Sequence, residues 1–142
     1  PRALLCPVRR QRNMFSRDSY CRFGAIRETL ELDHWLAWPE PLRDRHPAAL
    51  QHFASRHQDR INRIAFEQFL FQEQWQALRD YSKARGILLF GDIPIFVAHD
   101  SADVWANREL FKLDGQGRPT VVAGVPPDYF SDRGQHLSLI HL

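Results

Sequence analysis

Cysteine, methionine and net charge are the scarce features of this 142-residue sequence, which holds two cysteines, one methionine and a formal charge of +2. Cys6 and Cys21 both fall in the N-terminal segment. Two thiols do not make a disulfide framework, and no metal-ligand spacing accompanies them. The default compartment is therefore reducing, and a cytoplasmic location is expected. No apolar run approaches the ~20 residues that a membrane-spanning helix needs. The N-terminal basic cluster of Arg2, Arg9, Arg10, Arg12, Arg17 and Arg22 has no signal-peptide apolar core beside it. With a sequence pI near 8.9 the charge balance is too mild to argue for nucleic acid, although that cluster alone could act as a basic arm. The expectation is no membrane and no nucleic-acid partner.

What is present is the composition of a folded domain. The chain is 44% hydrophobic and 25% charged, which is globular and not disordered. Its length is enough for one ordinary domain with its own core.

The organising stretch runs from Gly86 to Ser131. Ile87, Leu88, Leu89 and Phe90 form a continuous apolar run between two glycines. That pattern predicts a strand buried on both faces, as in a parallel sheet. Asp92 follows where such a strand would end. A carboxylate there is costly to bury unless it is paired or functional, and in barrel enzymes strand ends carry the chemistry. The competing reading is a solvated turn residue beside Gly91 and Pro94.

Upstream, Arg60 to Arg85 is the clearest helix. Ile61, Ile64, Ala65, Phe69, Leu70, Phe71, Trp75, Leu78 and Tyr81 recur at three- and four-residue steps, an aromatic-rich stripe expected to be core. Gly86 is placed as its left-handed C-cap. Ala25 to Trp35 can form a short helix. Trp38-Pro39-Glu40-Pro41-Leu42 reads as a stiff, non-helical connector, Arg43-Asp44-Arg45-His46 as a charged turn, and Pro47 as the first residue of another helix. Residues 1–24 show no periodicity and are left unassigned, expected to be poorly ordered.

Downstream, Ser101 is placed as the N-cap of a helix from Ala102 to about Asn107. Leu110 to Val122 reads as a hairpin turning at Asp114-Gly115-Gln116-Gly117. Val125-Pro126-Pro127-Asp128 is stiffened by its two prolines, and Tyr129 and Phe130 follow on that support. An exposed aromatic pair there would suit stacking on sugar rings; the alternative is that both rings pack under the loop. His99, Asp100 and Asp103 could be drawn as a metal site, but capping and turn roles fit better, and no metal is expected. No nucleophile elbow or dinucleotide fingerprint appears.

Three stretches carry a family resemblance: Asp92 to Trp105, Val121 to Ser131 with Gly134-Gln135, and Trp38 to Asp44 with the helix up to Gly86. Over roughly Trp35 to Gln135 the chain resembles the amylomaltases, the 4-α-glucanotransferases of the α-amylase clan. The resemblance implies an α/β fold, a partial (β/α)₈ TIM barrel, since a whole barrel needs about 250 residues. The organisation expected is 1–24 unassigned, 25–135 barrel fragment and 136–142 an unmatched tail. With no initiating methionine and mismatches at both ends, two readings stand open: native ends, or a truncated or frame-shifted reading of a longer gene.

The resemblance also implies chemistry. A retaining transfer of α-1,4-glucan segments between maltooligosaccharides needs a carboxylate nucleophile and a second carboxyl as acid and base. In the family these lie downstream of the Gly-Gln position, so no catalytic residue is assigned here and the fragment alone is expected to be inactive. Asp92 is implied in holding sugar hydroxyls. Asp128, Tyr129, Phe130 and Ser131 match a loop that closes over bound glucan, with Asp132 or Gln135 as lesser contributors. No cofactor is implied. The rival readings are a non-catalytic glucan-binding module and a non-functional remnant.

Overall fold

The computed structural model describes residues 14–91, 96–129 and 132–138. Helix α1 spans Met14–Leu30, followed by a 3-10 turn at Trp35–Ala37, the short helix α2 (Glu40–Arg43), α3 (Pro47–Arg56) and the long α4 (Gln58–Ala84). After α4 come α5 (Ala102–Ala106), a second 3-10 turn at Arg108–Leu110, and strands β1 (Ala123–Val125) and β2 (Gln135–Ser138). The described part is thus mostly helical, and its only sheet is the antiparallel pair β1–β2. Among the described residues there is no barrel and no parallel strand pair. What the described residues show of the expected partial (β/α)₈ barrel is a helical unit with a small antiparallel ribbon.

The core forms where α1 meets α4 and α5. Phe23, Ala25 and Ile26 of α1 are buried with Ile61 and Ile64 of α4, Leu50 and Phe53 of α3, and Val104 and Trp105 of α5. Helix α1 includes residues 14–24, which the sequence pattern left unassigned. The reason is physical: arginines dilute its apolar stripe, and Cys21 and Phe23 are buried by tertiary packing that periodicity cannot register. Three aromatic rings close the centre. Phe23 lies 5.1 Å from Trp38 and 5.8 Å from Trp105 by ring centroids, and the two tryptophans meet edge-on at 5.6 Å. Such tilted pairs set the edge of one ring against the face of another.

The stretch expected to be a stiff connector contains a helical turn. Pro41 sits in the first turn of α2, where its missing N–H costs nothing, and Pro39 is the residue before the helix. Pro47 opens α3 as its position predicts. Between them Asp44 accepts two hydrogen bonds from the Arg43 guanidinium, at 3.0 and 2.8 Å, and a third from Arg108 at 2.9 Å. Led by the Arg43 bonds, these hold the Asp44 carboxyl down to about 2. Arg108 also donates to the Arg43 carbonyl, so the second 3-10 turn is tied to the α2 end.

The buried strand does not form. Residues 87–90 pair with no strand among the described residues; Leu88 is 91% and Phe90 102% exposed. Helix α4 is present with nearly the expected bounds and ends with Gly86 at φ +71°, but its stripe is core only at its start. Ile61 and Ile64 are buried, whereas Phe66, Leu70, Phe71, Trp75, Leu78 and Tyr81 are exposed. A periodic apolar stripe reports that a face is made to be covered; the described residues supply no element to cover this one.

The turn at Asp114 forms as predicted. Asp114 Oδ1 accepts the backbone N–H of Gln116 and of Arg118, each at 2.8 Å, and Leu113 pairs with Pro119 across the turn. The backbone N–H of Arg118 is the chief cause holding the Asp114 carboxyl below its usual value. Gly117 has φ +79°, and a Cβ there would stand 2.8 Å from Cη2 of Trp35. Gly117→Ala is therefore expected to destabilise the chain by about 2 kcal/mol, combining strain at positive φ with a clash against a packed ring. Gly115→Ala, with nothing within 4 Å, is the control and should change little. Urea melts of the two variants beside the parent chain check this.

Candidate functional site

The candidate site is the loop that joins β1 to β2. The strands are antiparallel, with Ala123 opposite Ser138, Gly124 opposite His136 and Val125 opposite Gln135, and an irregularity between Ala123 and Gly124. His136, Leu137 and Ser138, expected as part of an unmatched tail, belong to β2 and pair with β1. No 136–138 strand signal was visible because a short ribbon is defined by its partner, not by local periodicity.

Two features fix the loop. Pro126 and Pro127 restrict φ at its start. At its end Gly134 takes φ +70° and lies against the same dipeptide: a Cβ there would stand 2.2 Å from the Val125 carbonyl oxygen, 3.0 Å from Pro126 C and 3.2 Å from Pro127 N. Only a residue without a side chain permits that approach. The two ends of the loop are thus pinned backbone to backbone. Between them Asp128 and Tyr129 are exposed, with Tyr129 96% accessible.

Of the five residues expected at the site, the structure brings together Asp128 and Tyr129. Asp92, Phe130 and Ser131 lie outside the described residues. Asp132 is exposed on the same loop and Gln135 begins β2. Of the two readings for the Tyr129 ring, exposure is the one observed.

A second cluster of polar side chains gathers around Trp35. His99 and Asp100 do more than turn the chain. The Asp100 carboxylate accepts the Trp35 backbone N–H at 3.2 Å and pairs with Arg27 at 3.1 Å. The His99 carbonyl accepts Trp35 Nε1–H at 2.8 Å, and His99 Nε2 bonds to the Gly117 carbonyl at 2.7 Å. Ser101 caps α5 as predicted, accepting from the Val104 N–H at 3.3 Å. Among the described residues no group of three His, Cys, Asp or Glu side chains could hold a metal ion. His34, which caps the first 3-10 turn and bonds to His99, was missed entirely. The available signal was its position immediately before a tryptophan.

Gly134→Ala is expected to unpin the loop. NOE contacts between Val125 and Gln135, opposite each other across the ribbon, should vanish in that variant and persist in Gly115→Ala, measured by NMR on labelled chains.

Comparison with known proteins converges on one family. A sequence model described as 4-alpha-glucanotransferase matches residues 10–139. The chloroplastic/amyloplastic 4-alpha-glucanotransferase of Oryza sativa subsp. japonica is 50% identical over 113 residues, which is 80% of this chain and 19% of that protein. The Thermus thermophilus 4-alpha-glucanotransferase is 48% identical over 126 residues, 89% of this chain and 25% of that one. Among solved structures, the amylomaltase from Streptococcus agalactiae in complex with acarbose superposes with a TM-score of 0.82 at 35% identity, covering 88% of this chain and 26% of that chain. The chain therefore spans about a fifth to a quarter of the length of these relatives. By its sequence match over residues 10–139 and its backbone likeness to a solved amylomaltase, the chain belongs to the 4-alpha-glucanotransferase family.

Proposed function

We propose that this chain is the part of a 4-α-glucanotransferase that presents the β1–β2 loop to an α-1,4-glucan, and that it does not carry the catalytic carboxylates. The observation that carries the reading is the exposed Tyr129 ring on a loop whose ends are pinned by Gly134 against Pro126-Pro127. A ring presented on a stiff support loses little freedom when a sugar face stacks on it. Asp128 beside it supplies charged acceptor oxygens for sugar hydroxyls. In the parent reaction the loop would hold the acceptor glucan in place and disfavour water, so that the glycosyl-enzyme passes its segment to a sugar hydroxyl. Phe130, Ser131 and Asp92 are proposed to contact the same glucan. The chain alone is proposed to bind maltooligosaccharide without turnover.

The uncovered apolar side of α4 favours a second reading, a remnant that does not fold stably by itself. A sharp cooperative thermal transition of the monomer would contradict it.

Calorimetric titration with maltoheptaose tests the main reading. Tyr129→Ala is expected to weaken binding about tenfold, equivalent to ~1.4 kcal/mol, with the melting temperature unchanged because the ring is exposed. Glucose release from maltotriose by the chain alone, or equal affinity in Tyr129→Ala, would contradict the proposal.

A further inference from the structure

We infer that His34 and His99 form a proton-saturated clasp that acid opens, uncapping the Trp35–Ala37 turn. The inference rests on hydrogen-bond direction. The Leu36 backbone N–H can only donate, and it points at His34 Nδ1 at 3.1 Å. His34 Nδ1 is therefore an unprotonated acceptor, and its proton sits on Nε2. That Nε2–H points at His99 Nδ1 at 3.1 Å, which must accept in turn. His99 then carries its proton on Nε2 and donates to the Gly117 carbonyl at 2.7 Å. Three N–H donors face three acceptors, and each ring is fixed in one neutral tautomer from a backbone donor at one end to a backbone acceptor at the other.

No position is left for another proton. A proton added at His34 Nδ1 would face the Leu36 N–H, and one added at His99 Nδ1 would face the His34 N–H. Either costs a hydrogen bond and sets two donors against each other. The bond broken in the first case is the cap of the Trp35–Ala37 turn, and in the second the hydrogen bond between the capping ring and the His99 ring that holds Gly117. The rings are in contact, 4.8 Å apart by centroids, and part-buried.

The charged neighbours do not remove the constraint. Burial holds His34 below its ordinary value, Asp100 opposes this, and His99 and Arg27 act in the same sense as burial. Asp100 is already engaged by Arg27 and by the Trp35 N–H, and Arg108 lies over the Trp35 ring at 4.4 Å. Because the folded-state value lies below the ordinary 6.5, the clasp's contribution is complete above pH 6.5 and is lost as pH falls below it.

The test uses the full 142-residue chain. Long-range ¹H–¹⁵N NMR of the imidazoles at about pH 8 is expected to show the Nε2–H tautomer at both His34 and His99. The Leu36 amide protection factor, corrected for intrinsic exchange, is expected to fall by up to about tenfold per pH unit as the pH drops from about 6.5 to 5. His34→Asn keeps a side-chain acceptor at the cap, so protection at Leu36 should become independent of pH over that range. An Nδ1–H tautomer at either ring, or a flat protection factor in the parent chain, overturns the inference. So does a pH dependence that survives in a folded His34→Asn; should that variant unfold, the tautomers and protection of the parent chain still decide.

Discussion

The Trp35 indole is the constraint on which the rest of the packing depends. Its side chain is fully buried, and its two N–H groups, backbone and indole, are each met by a residue distant in sequence. The backbone N–H goes to the Asp100 carboxylate and Nε1–H to the His99 carbonyl. The ring takes the Arg108 guanidinium on one face and the bare Cα of Gly117 at its edge. A buried tryptophan brings a large apolar area into the core, but it stabilises only if its N–H finds a partner. Meeting that condition draws the segment before α5, the second 3-10 turn and the Asp114 turn onto one residue. Removing the ring is worth on the order of 3–5 kcal/mol in a core of this kind, a large share of a small domain's net stability.

That constraint divides the molecule. Around Trp35 the helices α1, α3 and α5 and the start of α4 bury their apolar residues against one another. Away from it, the later turns of α4 and residues 87–90 present Phe71, Trp75, Tyr81, Leu88 and Phe90 to solvent. A surface of that kind is built to be covered. The family relatives are several times longer than this chain, so the bare side is consistent with a unit that packs against more protein.

Helix existence was legible wherever local signals act alone. The Arg60–Arg85 periodicity, Pro47 at a helix start, Ser101 as a cap and the Asp-Gly turn were all readable, because each is decided within a few residues. What was not legible depends on partners. Helix α1 was hidden by arginines on its surface and is held by burial of Phe23 and Ile26. Strand β2 exists only through β1. Ile87–Phe90 reads as a buried strand because it is a continuous apolar run, while among the described residues nothing pairs with it. At the site, the stiff Pro126-Pro127 entry and the exposed Tyr129 were legible, and Gly134 was noted for its place in the family pattern without its reason. That reason, the approach to the Val125 carbonyl, is a tertiary contact.

Hydrogen exchange of the full chain, followed by mass spectrometry peptide by peptide, tests the central claim most directly. The account predicts strong protection in peptides covering Trp35–Trp38, the buried half of α1 and α5. It predicts weak protection for the later turns of α4 and for residues 88–90, which pair with no strand among the described residues. Equal protection from Trp35 through Phe90 would contradict it, and so would rapid exchange at Trp35 itself.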